Sequence, residues 1–143
     1  MTDAVHVFID GASQGNPGPS GIGVAFCKHG AEAPLATLHK YIGETTNNIA
    51  EYTALIYALQ EALIRGYRSL EVLTDSELVA KQLSGEYKVR EATLQPYYDQ
   101  FVHLQQGFER LVVRAIPREH NRLADQLANE AVEGRIDRSL KRR

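Results

Sequence analysis

Apolar and polar residues alternate over "VHVFID" (5–10), with Val5, Val7 and Ile9 on one side and His6, Phe8 and Asp10 on the other. That period of two predicts a strand ending in an aspartate. A loop dense in glycine and proline follows. "GIGVAFCKH" (21–29) and "LATLHKYIGE" (35–44) predict two further strands joined by the turn "GAEAP", giving an antiparallel meander. The period then changes. In "NNIAEYTALIYALQEALIRGY" (47–67), Tyr52, Leu55, Ile56, Leu59 and Leu63 recur at helical spacing, and Gly66 supplies a stop. "SLEVLTD" (69–75) predicts a fourth strand, again ending in aspartate, and "SELVAKQLSG" a short helix stopped by Gly85. "ATLQPYYDQFVHLQQGF" (92–108) predicts a third helix with Pro96 in its first turn. "RLVVRAIP" (110–117) predicts a fifth strand, and "NRLADQLANEAVEG" (121–134) a last helix with Leu123, Leu127, Ala128 and Ala131 as its apolar stripe.

The order β-β-β-α-β-α-α-β-α predicts an α/β fold, a five-stranded mixed sheet with helices on its faces. At 143 residues, 43% of them apolar, the chain suits one domain with a real core. Residues 1–134 form that domain, and 135–143 a basic tail expected to be flexible. The tail carries Arg135, Arg138, Lys141, Arg142 and Arg143 against Asp137. No apolar run is long enough to span a membrane, and no secretory signal is visible. Cys27 is the single cysteine, which excludes an intramolecular disulfide and a cysteine-based zinc site. A cytoplasmic location is the matching expectation. With net charge −2 and a pI near 6.2, the bulk charge does not mark a nucleic-acid binder, so any such binding must come from local arrangement or metal ions.

Four acids stand where chemistry could use them. If a helical crossover makes strands one and four parallel, Asp10 and Asp75 lie together at their carboxyl ends, where open α/β sheets bind ligands. Glu51 falls on the inward stripe of the long helix with Leu55, Ala58 and Ala62. Asp125 shares a face with Asn121, Ala128 and Val132. Each has an ordinary alternative: Asp75 suits a helix cap, Asn48-x-x-Glu51 a capping box, and Asp125 the helix dipole. Together they would repel one another, and their pKa values would rise unless cations were present. Oxygen-only donors favour Mg²⁺ or Mn²⁺ over zinc. Such ions can assist phosphoryl chemistry.

Four separated motifs now add up: "DGASQGNPGPSGIG" (10–23), "TTNNIAEYTALI" (45–56), "TDSELV" (74–79) and "REHNRLADQLANEA" (118–131). With these, the chain resembles ribonuclease H of type 1, which cleaves the RNA strand of RNA–DNA hybrids. The resemblance covers nearly the whole chain and implies the RNase H-like fold. It implies that Asp10, Glu51, Asp75 and Asp125 bind two Mg²⁺ ions, with Asp10 bridging, and that the products carry 5′-phosphate and 3′-hydroxyl ends. It places Gly11, Ser13, Gln14, Asn16, Thr46, Asn47 and Asn48 against the substrate, where amides can both donate to and accept from a 2′-hydroxyl. A monomer with no obligatory protein partner is expected.

Three features depart from the best-known bacterial members. "LSGEYKVREATLQPYY" lacks their basic protrusion, having only Lys88 and Arg90, so the likeness is to the short form. Their mobile-loop histidine has two candidate counterparts here, Arg118 and His120, of which Arg118 is favoured. Glu77 stands where some members have a glutamine that touches RNA. The competing readings are a nuclease or transferase of the same fold acting on DNA, and a non-catalytic hybrid-binding module.

Overall fold

The computed structural model describes residues 4–29, 31 and 33–141, with side chains described as far as 134. Five strands and four helices follow the expected order. They are β1 (Val5–Ser13), β2 (Gly18–Cys27), β3 (Ala36–Thr45), α1 (Asn47–Ile64), β4 (Ser69–Thr74), α2 (Glu77–Leu83), α3 (Gln95–Gln105), β5 (Arg110–Ala115) and α4 (Arg122–Lys141), with a 3₁₀ turn at Arg118–His120. The sheet order is β3-β2-β1-β4-β5. β1, β2 and β3 pair antiparallel, whereas β4 pairs parallel with both β1 and β5.

One face of the sheet, through Val7, Ile9, Ile22, Val24 and Phe26, packs on the buried stripe of α1, including Tyr52, Leu55 and Leu59. These side chains are fully buried. Complete burial of each large aliphatic side chain contributes about 1.5–3 kcal/mol. The other face receives α4, which lies against β1, β2 and β3. Gly23 makes that approach possible: a Cβ there would stand 2.1 Å from the Ala124 carbonyl oxygen and 2.7 Å from the Ala128 nitrogen.

The structure corrects several boundaries. β1 does not end at Asp10. Its ladder with β2 continues to Ser13↔Ser20, and the Gln14 N–H donates to the Pro19 carbonyl at 2.8 Å. What ends near Asp10 is the parallel ladder, whose last pair is Ile9↔Thr74. The α4 stripe is also shifted. Leu123 is 37% exposed, while Ala124, Leu127, Ala128, Ala131 and Val132 are buried. The α4 backbone at Ala124 and Ala128 lies directly on Gly21 and Gly23, flanked by Leu127 and Val132, and Leu123 falls outside that contact face. α4 also runs through Gly134 to Lys141. The side chains of Arg135, Asp137, Arg138 and Lys141, and all of Arg142 and Arg143, lie outside the described residues.

Candidate active site

Each acid reaches the site through a different local device. Thr46 caps α1, its hydroxyl accepting from the Ile49 N–H at 3.3 Å. That cap puts Glu51 in the second turn, so the expected Asn48–Glu51 capping box does not form. The Glu51 carboxylate instead accepts from the Gly11 N–H at 2.9 Å and from the Thr74 hydroxyl at 3.3 Å. Gly11 is required for this contact, because a Cβ there would sit 2.5 Å from the Ala50 carbonyl carbon. Thr74, the last residue of β4, is itself fixed by the Ser76 N–H at 3.0 Å.

Asp75 does not cap α2. Ser76 does, accepting from the Val79 N–H at 3.2 Å, which frees Asp75 for the cleft. Asn121 sits 1% exposed beneath it. Its amide donates to the Ile9 carbonyl at 2.9 Å and to Asp75 Oδ2 at 3.3 Å, linking the start of α4 to β1 and to Asp75. On the next turn but one, the Asn129 amide donates to the Asp125 carbonyl at 2.8 Å and to its carboxylate at 3.2 Å.

One carboxylate oxygen from each of Asp10, Glu51 and Asp75 lies within 4.8 Å of the others. Asp10 and Glu51 are buried and Asp75 is half-buried. The electrostatic consequence is severe. The Asp10 carboxyl is pushed up to about 11, first by burial, then by its hydrogen bond to Glu51 and the Glu51 charge, with Asp75 and Asp125 adding to the rise. Burial also raises Glu51, while hydrogen bonds from Asp10 and the Gly11 N–H pull it back down. Without a cation the pair therefore holds a proton, with Asp10 donating to Glu51. A divalent cation reverses that penalty by favouring the ionised forms. The donor set consists of hard oxygens alone, which fits Mg²⁺ or Mn²⁺.

The cluster floors an open cleft of about 450 Å³. Asp125, Gly11, Ser13, Asn47, Asn48 and Arg118 line it as well. Asp125 comes from α4 and stands outside the set of three mutually close carboxylates found among the described residues. His120, Gln14, Asn16 and Thr46 are not in the lining. Asn16 acts one step back: its side-chain oxygen accepts from the Asn47 N–H at 3.0 Å, tying the β1–β2 loop to the start of α1. Sequence reasoning missed Thr74, Asn121 and Asn129 as site groups. The available signal was spacing, since Asn121 and Asn129 lie four residues either side of Asp125 on one helix face.

A family model described as reverse transcriptase-like matches residues 8–131. Ribonuclease HI of Halobacterium salinarum is 40% identical over 129 residues, covering 90% of this chain and 64% of that protein. Ribonuclease H of Pseudomonas putida is 34% identical, with 93% of this chain and 96% of that protein covered. The chain also matches a Mycobacterium tuberculosis protein described as bifunctional at 41% identity, but spans only 35% of its length. Among solved structures, LC11-RNase H1 in complex with RNA/DNA hybrid superposes with a TM-score of 0.87 at 41% identity, covering 92% of this chain and 99% of that one.

Proposed function

Because the chain belongs to the ribonuclease H family, in the short type 1 form, we propose that it hydrolyses the RNA strand of RNA–DNA hybrids, leaving 5′-phosphate and 3′-hydroxyl ends. The observation that carries this reading is the convergence of Asp10, Glu51 and Asp75 within 4.8 Å at the end of the β1–β4 ladder. Asp125, in the same cleft, completes the proposed ligand set. Two Mg²⁺ ions held by these acids would supply the positive charge that water attack and departure of the 3′-oxygen require.

The protein's own part is positional. Gly11 and Thr74 fix both oxygens of Glu51. Asn121 orients Asp75, and Asn129 orients Asp125. With cations bound, Asp10 would be ionised and would present a full carboxylate beside Glu51 and Asp75. Arg118, at the rim of the cleft, offers a guanidinium to a phosphate, a role that His120 is less well placed to fill. The Asn47 and Asn48 amides face the cleft as readers of the RNA 2′-hydroxyl, with Asn16 holding that edge in place. A neutral amide rim would let a chain of net charge −2 bind nucleic acid, since cations held by the acids would neutralise the centre while the amides read the edge.

The test is a cleavage panel of labelled RNA–DNA hybrid, double-stranded RNA, double-stranded DNA and single strands, each with Mg²⁺, Mn²⁺ or EDTA. Cutting of the hybrid's RNA strand alone, abolished by EDTA, supports the proposal. Preferential cutting of DNA would transfer the site to a DNA-directed reaction, and binding of hybrid without cutting would make the chain a recognition module.

A further inference from the structure

Ser20 of β2 stands opposite Ser13 of β1, and cross-strand partners share a face of the sheet. Ser20 is completely buried, while Ser13 is half-buried and borders the cleft with Gly11, Asn47 and Asn48. Their hydroxyl oxygens lie 2.6 Å apart. The Ser20 hydroxyl also lies 2.8 Å from the Gly18 carbonyl oxygen and 3.3 Å from the Thr45 carbonyl oxygen. The β2–β3 register shifts between Ser20 and Gly21, and such irregularities beside a site re-aim side chains. Thr45 ends β3 and directly precedes Thr46, the cap of the helix that carries Asn47 and Asn48. One buried hydroxyl therefore joins β1, the start of β2 and the root of the amide rim.

Counting protons fixes the direction of these bonds. A carbonyl oxygen only accepts, whereas each hydroxyl has one proton to give and lone pairs to receive. Two carbonyls face Ser20, and the Gly18 oxygen, at an ordinary O–H···O distance, takes its proton. Ser20 then meets Ser13 as an acceptor, and the Ser13 proton closes the contact between them. In the reverse order Ser20 donates to Ser13, and its oxygen faces both carbonyls lone pair against lone pair. That arrangement is costly in a fully buried place. With its proton turned inward, Ser13 has only lone pairs to offer the cleft.

We propose that Ser20 is a positioning residue that holds the Ser13 hydroxyl as a pure acceptor toward the cleft, so that Ser13 selects a sugar carrying a proton donor, the 2′-hydroxyl of RNA, over deoxyribose. This role rests on the proposed hydrolysis of RNA–DNA hybrids. The Asn47 and Asn48 amides both donate and accept, so they tolerate a 2′ substituent of either kind. Ser13, with its proton committed to Ser20, does not. A phosphate oxygen, which only accepts, gains nothing from Ser13, whereas a 2′-hydroxyl gains a neutral hydrogen bond. One such bond is worth roughly two- to tenfold in an equilibrium or a rate.

The test is single-turnover cleavage of one RNA–DNA hybrid in Mg²⁺, its cut sites first mapped with unmodified RNA. The RNA is then remade with a single 2′-fluoro sugar at each position around one cut. Fluorine fills the place of the hydroxyl but has no proton to donate. Wild type, Ser13→Ala and Ser20→Ala are compared, and thermal melting verifies that each folds. Ser20→Cys, closer to serine in volume, replaces Ser20→Ala if that variant does not fold. The wild type should lose roughly two- to tenfold in rate at one position through this contact. That penalty should vanish in Ser13→Ala and shrink in Ser20→Ala, where the released Ser13 proton can turn to the fluorine. Penalties at the other positions should stay as they are. A merely structural role for Ser20 would slow every substrate alike and leave the ratio of hydroxyl to fluoro rates unmoved. Equal penalties in all three proteins overturn the proposal, and so does a penalty relieved in only one of the two variants. Failure of the wild type to cut the unmodified hybrid overturns the hybrid reading and this role with it, whereas cutting with unaltered penalties overturns this role alone.

Discussion

The close approach of α1 to β1 at Gly11 yields a quantitative prediction. Gly11 lies in β1 without a left-handed backbone, so Gly11→Ala imposes no dihedral strain and its whole effect is collision. The new Cβ would lie 2.5 Å from the Ala50 carbonyl carbon and 2.6 Å from the Glu51 nitrogen. Ordinary carbon contacts begin near ~3.5 Å, so strand and helix must part by roughly 1 Å. Overpacking of this kind costs about 1–3 kcal/mol, or some 4 °C of melting temperature for each kcal/mol. The displaced atoms carry Glu51 and stretch its bond from the Gly11 N–H. A misplacement of ~1 Å at a reacting centre lowers the rate about 10²-fold. The expected result is a kcat on labelled hybrid reduced by about two orders of magnitude, a larger effect than any on KM. Gly134→Ala is the control. A Cβ there meets nothing within 4 Å, and the helix should gain about 0.4–1 kcal/mol with unchanged kcat. Full activity of Gly11→Ala with less than about 0.5 kcal/mol of destabilisation would refute the view that this contact positions Glu51.

Other consequences are as direct. Without cations, burial and the neighbouring Glu51 push the Asp10 carboxyl up to about 11, far above the ordinary carboxylate range, so the folded state binds more protons than the unfolded chain between those limits. Metal-free stability in urea should therefore fall as pH rises from 5 to 8, about one proton's worth per pH unit, and Asp10→Asn should flatten that slope. An unchanged slope in the variant would move the bound proton elsewhere. Asn121→Ala removes the donor to both the Ile9 carbonyl and Asp75 Oδ2, and should cost about 1–3 kcal/mol together with a higher Mg²⁺ requirement for cleavage. Stability lost without any change in Mg²⁺ dependence would make Asn121 purely structural. The pair Asn47→Ala and Asn48→Ala should raise KM for hybrid more than it lowers kcat, measured by steady-state kinetics on one labelled duplex. An unaltered KM removes these amides from recognition.

The order of elements was legible because the periods differ cleanly. Strict alternation at Val5, Val7 and Ile9 cannot serve a helix, and the recurrence of Tyr52, Leu55 and Leu59 cannot serve a strand. All four acids were legible as candidates, and the meeting of Asp10 and Asp75 followed once β1 and β4 were read as parallel. What remained hidden depends on contacts between distant segments. The extension of β1 past Asp10 is set by pairing with Ser20 across the hairpin, which the glycine- and proline-rich composition of the loop conceals. Leu123 reads as core by residue type, yet the close contact of α4 with Gly21 and Gly23 of β2 is made by Ala124, Leu127, Ala128, Ala131 and Val132, and Leu123 lies off that face. The capping box at Asn48 and Glu51 is locally plausible. It is displaced by Thr46, because the Gly11 N–H and the Thr74 hydroxyl offer Glu51 partners from two strands, β1 and β4. Asn121's role was hidden because the Ile9 carbonyl and the Asp75 carboxylate it holds come from distant segments, whereas Asn129's contact with Asp125 lies one helical turn away and was legible from spacing alone.

The most direct measurement is single-turnover cleavage of one RNA–DNA hybrid, with each strand separately labelled, as Mg²⁺ is titrated into wild type and Asp10→Asn. The account predicts Mg²⁺-dependent loss of the RNA strand alone for the wild type. It predicts no cleavage at any Mg²⁺ concentration for the variant, with its fold intact by circular dichroism. Cleavage by Asp10→Asn at the wild-type rate, or loss of the DNA strand, would contradict it.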